Sequence, residues 1–340
     1  MPAPPSLVNT LSRAWLRRGP LACALWPLSL LFAVLGAARR LLYRRGLLAS
    51  ERLAVPVIVV GNIFIGGTGK TPLTIWLAAA LRDAGYVPGI ISRGHGSAAS
   101  APRPVTAASL AAEVGDEPLL MARRSGCPVM VGRDRPAAAR ALLAQSPQVN
   151  VIISDDGLQH YALQRDVEIV LFDGRGAGNG WLLPAGPLRE PLSRRRDFTV
   201  VNGAAVDSAG MAGAFAMVLA GTHAEQLTDR SKRQPLAALR GQRLVAAAGI
   251  GNPQRFFATV RAAGLACVEL PLPDHHDFLD DPFAALDADI ILITEKDAVK
   301  CGQIENLKRD PRLWVVPVTA QLDAALAEQI VEKCRGCSTA

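Results

Sequence analysis

The chain has 340 residues, half of them hydrophobic, which is enough for two domains with a sizeable core. Its formal charge of +7 sits at one end: residues 1–52 hold eight Arg and one Glu, and the remaining basic and acidic residues cancel. A basic surface for nucleic acid on the folded body is therefore unsupported, so no nucleic-acid partner is expected, and the six scattered Cys agree with a reducing compartment.

Residues 1–50 carry the excess charge. Gly19–Ala38 is uncharged and rich in Leu, Ala, Phe and Trp, with Arg17 and Arg18 before it and Arg39, Arg40, Arg44 and Arg45 after it. About 20 such residues approach the length that spans a bilayer. Pro20 and Pro27 interrupt the run, however, and a helix lying in the interface with its arginines on anionic headgroups fits as well as a full span. A cleaved signal peptide is disfavoured, because no small-residue cleavage site precedes the motif that follows.

That motif is Val57 to Pro72, VIVVGNIFIGGTGKTP. The β-branched run Val57–Val60 predicts a strand buried on both faces, and Leu73–Leu81 predicts a helix closing at Gly85. Between them Gly66, Gly67 and Gly69 let backbone N–H groups turn toward an anion, and the helix N-terminus adds partial positive charge. Lys70 reaches the outer phosphates and the Thr71 hydroxyl can ligate Mg²⁺. The nucleotide cradle is thus Phe64, Ile65, Gly66, Gly67, Thr68, Gly69, Lys70 and Thr71, with Phe64 standing where the usual pattern has Gly.

Val87–Ile91 predicts a second strand, ending in Ser92-Arg93-Gly94-His95-Gly96, where Arg93 is a candidate phosphate ligand or an ordinary turn arginine. Asp116 and Glu117 precede a helix expected from Leu119. They read equally as partners of its dipole or as the carboxylates of a phosphoryl transfer, one holding Mg²⁺ and one accepting a proton. Val149–Ser154 predicts a third strand running into Asp155, a Walker-B arrangement that would put Asp155 beside the metal. Strands are also expected at Val167–Phe172 and Phe198–Asn202, with a long Gly/Pro loop between them that suggests a substrate-side flap.

Residues 204–235 read as a two-stranded connector into a smaller domain, 236–340. There Leu244–Ala248, a helix over Gln254–Ala263 and Ile290–Thr294 give a second β-α-β rhythm. His275 and His276 cannot easily chelate one metal together, because adjacent side chains on an extended segment face opposite ways. Glu295-Lys296-Asp297 lacks the spacing for guanine recognition. Cys334 and Cys337 read as a frayed terminus, since a zinc site would need more ligands.

The set GNIFIGGTGKTP, SRGHGS, GDEP, DDGLQH, RGAGNGWLLPAGPLREP, GIGNPQRFF, LPDHHDF and ITEKDAVKC resembles the tetraacyldisaccharide 4′-kinase family of lipid A biosynthesis, over nearly the whole stretch from Val55 to Cys301. In that family too the leading residue of the phosphate loop is not Gly, while His95 stands where a Tyr is more familiar. The resemblance implies an α/β fold: a P-loop NTPase-type parallel-sheet domain (51–203), a smaller α/β C-terminal domain and an N-terminal membrane-associated helix. It implies ATP and Mg²⁺ as cofactors and an acylated glucosamine disaccharide 1-phosphate as acceptor. It also implies an anionic membrane surface as partner and a place on the cytosolic face of a Gram-negative inner membrane. Carried onto this chain, it makes Asp116, His275 and Lys70 catalytic, and Thr71, Glu117 and Asp155 metal ligands. Arg93, Asp156, Gln159, His160 and Arg189 become acceptor-binding residues. The rival readings are a membrane-recruited switch ATPase, which would want Lys where Ile65 stands, and a GTP-dependent metallochaperone, which would want a Cys/His metal site.

Overall fold

The computed structural model describes residues 11, 14–94, 101–203, 211 and 213–336; His95 and Cys337 lie outside them. In chain order the elements are helix α1 (Pro20–Arg44), strand β1 (Val57–Gly61), α2 (Lys70–Asp83), β2 (Pro88–Ser92), β3 (Arg103–Val105), α3 (Ala111–Val114), α4 (Asp116–Ser125) and β4 (Val129–Val131). There follow α5 (Arg135–Gln145), β5 (Val151–Asp155), β6 (Val167–Asp173), β7 (Phe198–Asn202), β8 (Phe215–Ala220), β9 (His223–Gln226), β10 (Arg233–Pro235) and β11 (Leu244–Ala248). The chain ends through α6 (Pro253–Ala262), β12 (Val268–Pro271), β13 (Ile290–Thr294), α7 (Glu295–Cys301), α8 (Glu305–Arg309), β14 (Leu313–Val316), β15 (Thr319–Leu322) and α9 (Ala324–Arg335).

Nine strands form one sheet in the order β15-β8-β7-β6-β1-β5-β2-β4-β3, and six form another in the order β10-β9-β14-β13-β11-β12. In the first sheet β1, the strand that feeds the glycine turn, lies parallel between β5 and β6. Its residues are buried throughout, as its continuous β-branched run requires. The inward faces of α2 (Leu73, Leu77, Leu81) and α9 (Leu326, Ile330) share one apolar cluster with this sheet. The other face is covered by α5 (Ala138, Ala139, Leu142) and the loops around Leu158 and Leu188.

The two-stranded connector expected over 204–235 is not what forms. β8 pairs parallel with β7 in the first sheet, whereas β9 and β10 pair antiparallel in the second. The C-terminal stretch also divides: β15 pairs with β8 and α9 packs on the first sheet, so 319–335 return to the body that 236–316 leave. Cys334 accordingly lies in the core and not in a frayed tail. Short apolar runs fix that a segment is a strand, but not which sheet has a vacant edge for it.

Helix α1 stands apart from this packing. Of its 25 residues only Ala22 and Ser29 are buried. Leu28, Leu31, Phe32, Val34 and Leu35 are exposed, each forgoing about 1.5–3 kcal/mol of burial in water. It is long and apolar enough to cross a membrane, by length and composition. Its polar contacts with the body include Ser29, whose Oγ donates to Leu182 O at 2.8 Å and accepts from Ala185 N at 2.9 Å, and Arg39, which donates to Gln159 O at 3.2 Å. The long Gly/Pro loop is thereby tied to the helix at one end of its run and to the glycine turn at the other. Ile65 N donates to Pro187 O at 3.0 Å, and Arg189 N to Ile63 O at 2.7 Å.

Candidate active site

Five polar residues mark the carboxyl edge of the first sheet: Asn62 just after β1, Ser92 ending β2, Asp155 ending β5, Asp173 ending β6 and Asn202 ending β7. Ligands of open α/β sheets sit at this edge. The glycine turn occupies its centre, with Gly66 and Gly69 at φ 103° and 102°, conformations that a Cβ would oppose.

For the amides of such a turn to face a phosphate, its carbonyls must face outward and find donors there. Asn62 Nδ2 donates to Phe64 O (2.6 Å) and Gly66 O (3.0 Å). Asn202 Nδ2 donates to Thr68 O at 2.8 Å. Arg175 reaches Gly67 O at 3.4 Å, and Arg255, from α6 beneath the second sheet, reaches Thr68 O at 3.5 Å. Both guanidiniums are gathered by Asp173, at 2.7 and 3.3 Å. Burial pushes that carboxyl up, but the Arg175 and Arg255 charges outweigh it and hold it below the usual range. Phe64, in the place of the usual Gly, is 3% exposed: it bridges to Leu188, and the Arg175 guanidinium lies 4.3 Å from its ring centroid. The bridge is a backbone pairing that Gly could also make; what the ring adds is apolar packing in one cluster with Leu188 and a face for Arg175.

Lys70 opens α2 and its Nζ lies 3.1 Å from Asn62 Oδ1 and 3.6 Å from Asp156. Asp156, at φ 47°, also receives Arg189 on both carboxylate oxygens at 3.3 Å. Thr71 is buried in the same helical turn. Asp155 is buried with Ser92 Oγ on one oxygen at 3.1 Å, and its other oxygen has no hydrogen-bond partner among the described residues. Burial first and then the charge of Glu117 push the Asp155 carboxyl up. An orphaned buried carboxylate oxygen with a second carboxylate close by is a donor set that fits a hard divalent cation.

Helix α4 begins at Asp116, three residues before the expected start, because Gly115 at φ 91° and ψ 151° turns the chain into it. Across the cleft the carboxyl ends of the second sheet face this turn. His275, in the loop after β12, brings Nδ1 to 3.0 Å from Asp116 Oδ2. Lys296 and Lys300, one turn apart on α7, lie 3.9 and 3.6 Å from the same oxygen, while Glu117 N donates to Oδ1 at 2.9 Å. Burial alone would raise the Asp116 carboxyl. The His275 hydrogen bond and the Lys296 charge, with Lys300 behind them, hold it at about 2. The hydrogen bond to Asp116 in turn raises His275. Since Lys296 Nζ, a donor only, stands 3.3 Å from His275 Nε2, the neutral ring carries its proton on Nδ1, toward Asp116. His276 turns the other way, accepting from Phe278 N at 3.0 Å.

The remaining expected acceptor residues line the side toward the flap. Gln159 Nε2 donates to Glu190 at 2.9 Å. His160 is held neutral: burial, then the charges of Arg135 and Arg93, lower it to about 4. Arg93 is exposed, with no acidic partner among the described residues. Four residues escaped the sequence reading. Lys296 and Lys300 were legible only as an i, i+4 pair after a strand, and Arg255 only as an arginine following GIGNP. Arg135 is a buried guanidinium donating to Gly132 O (2.6 Å) and Asp155 O (3.2 Å). Asp297 is buried, taking Thr294 Oγ1 at 2.7 Å and Gly249 N at 3.0 Å, so its carboxyl fixes a turn and is unavailable to a base.

A glycine-turn phosphate cradle with its lysine, beside a carboxylate that an imidazole from across the cleft hydrogen-bonds, is the equipment of a P-loop phosphotransferase. Comparison with known proteins narrows that class. Residues 21–335 match the family Tetraacyldisaccharide-1-P 4'-kinase, and the chain belongs to it. It is 62% identical to the tetraacyldisaccharide 4'-kinase of Herminiimonas arsenicoxydans and 64% identical to that of Janthinobacterium sp. (strain Marseille), covering 98% of each and 98% of itself. The crystal structure of LpxK from Aquifex aeolicus in complex with ATP superposes with a TM-score of 0.76 at 29% identity, over 92% of this chain and 99% of that one.

Proposed function

We propose that the chain transfers the terminal phosphate of ATP to the 4′-hydroxyl of a tetraacyldisaccharide 1-phosphate, a step of lipid A biosynthesis. The observation that carries the reading is Asp116, a carboxylate held low by and hydrogen-bonded to His275, in one body with a glycine turn whose Phe64, Gly66, Gly67 and Thr68 carbonyls are drawn outward. The triphosphate lies on the amides of 64–71, with Lys70 on the transferring group, which Asp156 holds ready meanwhile. Phosphoryl transfer is loose and leaves little covalent chemistry to the protein, so positioning and charge stabilisation supply most of the rate. A base with so low a pKa suits this: Asp116 accepts the acceptor's O–H hydrogen bond early and its proton late.

The donor set around Asp155 fits Mg²⁺, with Thr71 and Glu117 as its further ligands; when bound, the ion would neutralise charge on the β- and γ-phosphates. Arg93, Asp156, Gln159, His160 and Arg189 form the acceptor side. The exposed apolar face of α1 supports attachment to the cytosolic face of a Gram-negative inner membrane, where acyl chains stay in the bilayer while the sugar enters the cleft. Incubating the purified protein with ATP, Mg²⁺ and the disaccharide 1-phosphate tests the reading: phosphate is expected on the 4′-position, and ATP hydrolysis with unmodified lipid would count against it.

A further inference from the structure

A cavity of about 720 Å³ lies away from the phosphate loop, where the last turn of α1 meets the loops at 161–168 and 190–195. Its floor is electrically settled. Arg165 pairs with Glu168 at 2.9 Å, and Arg194 pairs with Glu168 at 2.6 Å and with Glu190. Tyr161 Oη donates to Glu190 at 2.6 Å. Its walls are not. Arg40 and Arg44, one turn apart on α1, and Arg195 from the opposite rim line the cavity with no hydrogen-bond or acidic partner among the described residues. Five guanidiniums therefore face two carboxylates, and the excess is positive and concave. Guanidinium forks converging on a concave site match phosphate oxygens better than any other common biological anion except carboxylate. The rim continues into Leu41 and Leu42, which are exposed on the same helix end, so the cavity opens at the level where α1 would leave a bilayer. On its inner side stands Glu190, next in sequence to Arg189, which pairs with Asp156 beside Lys70.

We propose that this cavity is a binding site for a phosphate ester presented at the membrane surface, with Arg40, Arg44 and Arg195 as its ligands. The proposal rests on the reading of the chain as a membrane-attached lipid kinase. The ester can come from two sources, the acceptor's own 1-phosphate or the headgroup of a bulk anionic phospholipid, and the same chemistry serves both.

The test uses the full-length protein carrying Arg40→Gln, Arg44→Gln and Arg195→Gln together, beside a variant with Lys at the same positions. In neutral detergent micelles KM is measured for the disaccharide 1-phosphate and for the disaccharide lacking that phosphate. Separately, binding to phosphatidylcholine vesicles is compared with and without phosphatidylglycerol. If the acceptor is the source, the Gln variant raises its KM about tenfold or more, erases the preference for the 1-phosphate form and leaves KM for ATP alone. If bulk lipid is the source, micellar kinetics hold and the gain in binding from phosphatidylglycerol is lost. In either case the Lys variant recovers part of the effect, which a folding defect would not allow. Unchanged preference for the 1-phosphate together with unchanged phosphatidylglycerol dependence would overturn the proposal. A wild-type protein that transfers no phosphate would instead defeat the kinase reading, and the vesicle arm would still report on the cavity.

Discussion

Nδ1 of His275 and Oδ2 of Asp116 lie 3.0 Å apart although 159 residues separate them in the chain. Neither side chain could make this pair within its own sheet. Asp116 starts a helix of the first body, His275 hangs from a strand end of the second, and two lysines of α7 close the same oxygen from below. The carboxylate–imidazole pair is thus assembled by the docking of two sheets, carboxyl edge to carboxyl edge.

Replacing Asp116 by Asn is expected to abolish phosphate transfer while ATP affinity stays within about twofold. His275→Ala should lower kcat by about a hundredfold, the lower range for a positioned proton-transfer group. Steady-state kinetics with separate ATP binding measurements check both. An Asp116→Asn enzyme turning over near the wild-type rate would remove the carboxylate from the mechanism.

Arg255→Ala withdraws the donor that the second body offers to Thr68 O and leaves Asp173 to Arg175. A hydrogen bond from a charged donor contributes about 1.5–3 kcal/mol, so KM for ATP should rise about tenfold or more with KM for the lipid unchanged. Equal effects on both substrates would point to loosened docking of the two bodies.

Restoring the usual glycine at position 64 should harm the protein. Phe64→Gly removes a buried ring that packs in one cluster with Leu188 and lies under Arg175, at a cost of about 3–5 kcal/mol for a Phe truncation. Urea denaturation reads the loss as a lower midpoint; an unchanged midpoint would mean that the ring carries no packing.

His160 gives a pH dependence of stability. Its ordinary value of 6.5 falls to about 4 in the folded chain, chiefly through burial. Between those values the unfolded chain binds the extra proton, so stability is whole above 6.5 and is lost as pH falls toward 4, by at most about 3 kcal/mol. His160→Gln should flatten that part of the curve, measured as unfolding free energy against pH. A slope unaltered by the substitution would assign it to other groups.

Charging the outer face of α1 should separate anchoring from catalysis. Leu31→Glu with Leu35→Glu leaves the Ser29 tie to the flap in place, because both leucines face away from the body. Recovery with membranes is expected to fall while activity on detergent-dispersed acceptor persists. Unchanged partitioning would mean that α1 is not the anchor.

What could be read in advance follows from where each constraint lives. The phosphate turn was legible because its glycines, lysine and threonine are demanded locally, by backbone conformation and by a contiguous ligand. Asp155 was legible as the polar end of a buried strand. The lysine pair of α7 and Arg135 were not, since an i, i+4 spacing or an arginine at a helix start has the same appearance on any surface, and only tertiary placement gives them a carboxylate or a carbonyl to serve. The return of β15 and α9 to the first sheet was hidden for a related reason: the alternation of apolar residues along 313–335 is satisfied by either body.

Every assignment proposed for the site depends on ATP's terminal phosphate passing to a sugar hydroxyl held against Asp116. The most direct measurement of that transfer follows label from γ-labelled ATP onto tetraacyldisaccharide 1-phosphate, with the wild-type protein and Asp116→Asn side by side. Label is expected on the 4′-oxygen with the wild type and none above background with the variant. Label released only as inorganic phosphate, or equal labelling by both proteins, would contradict it.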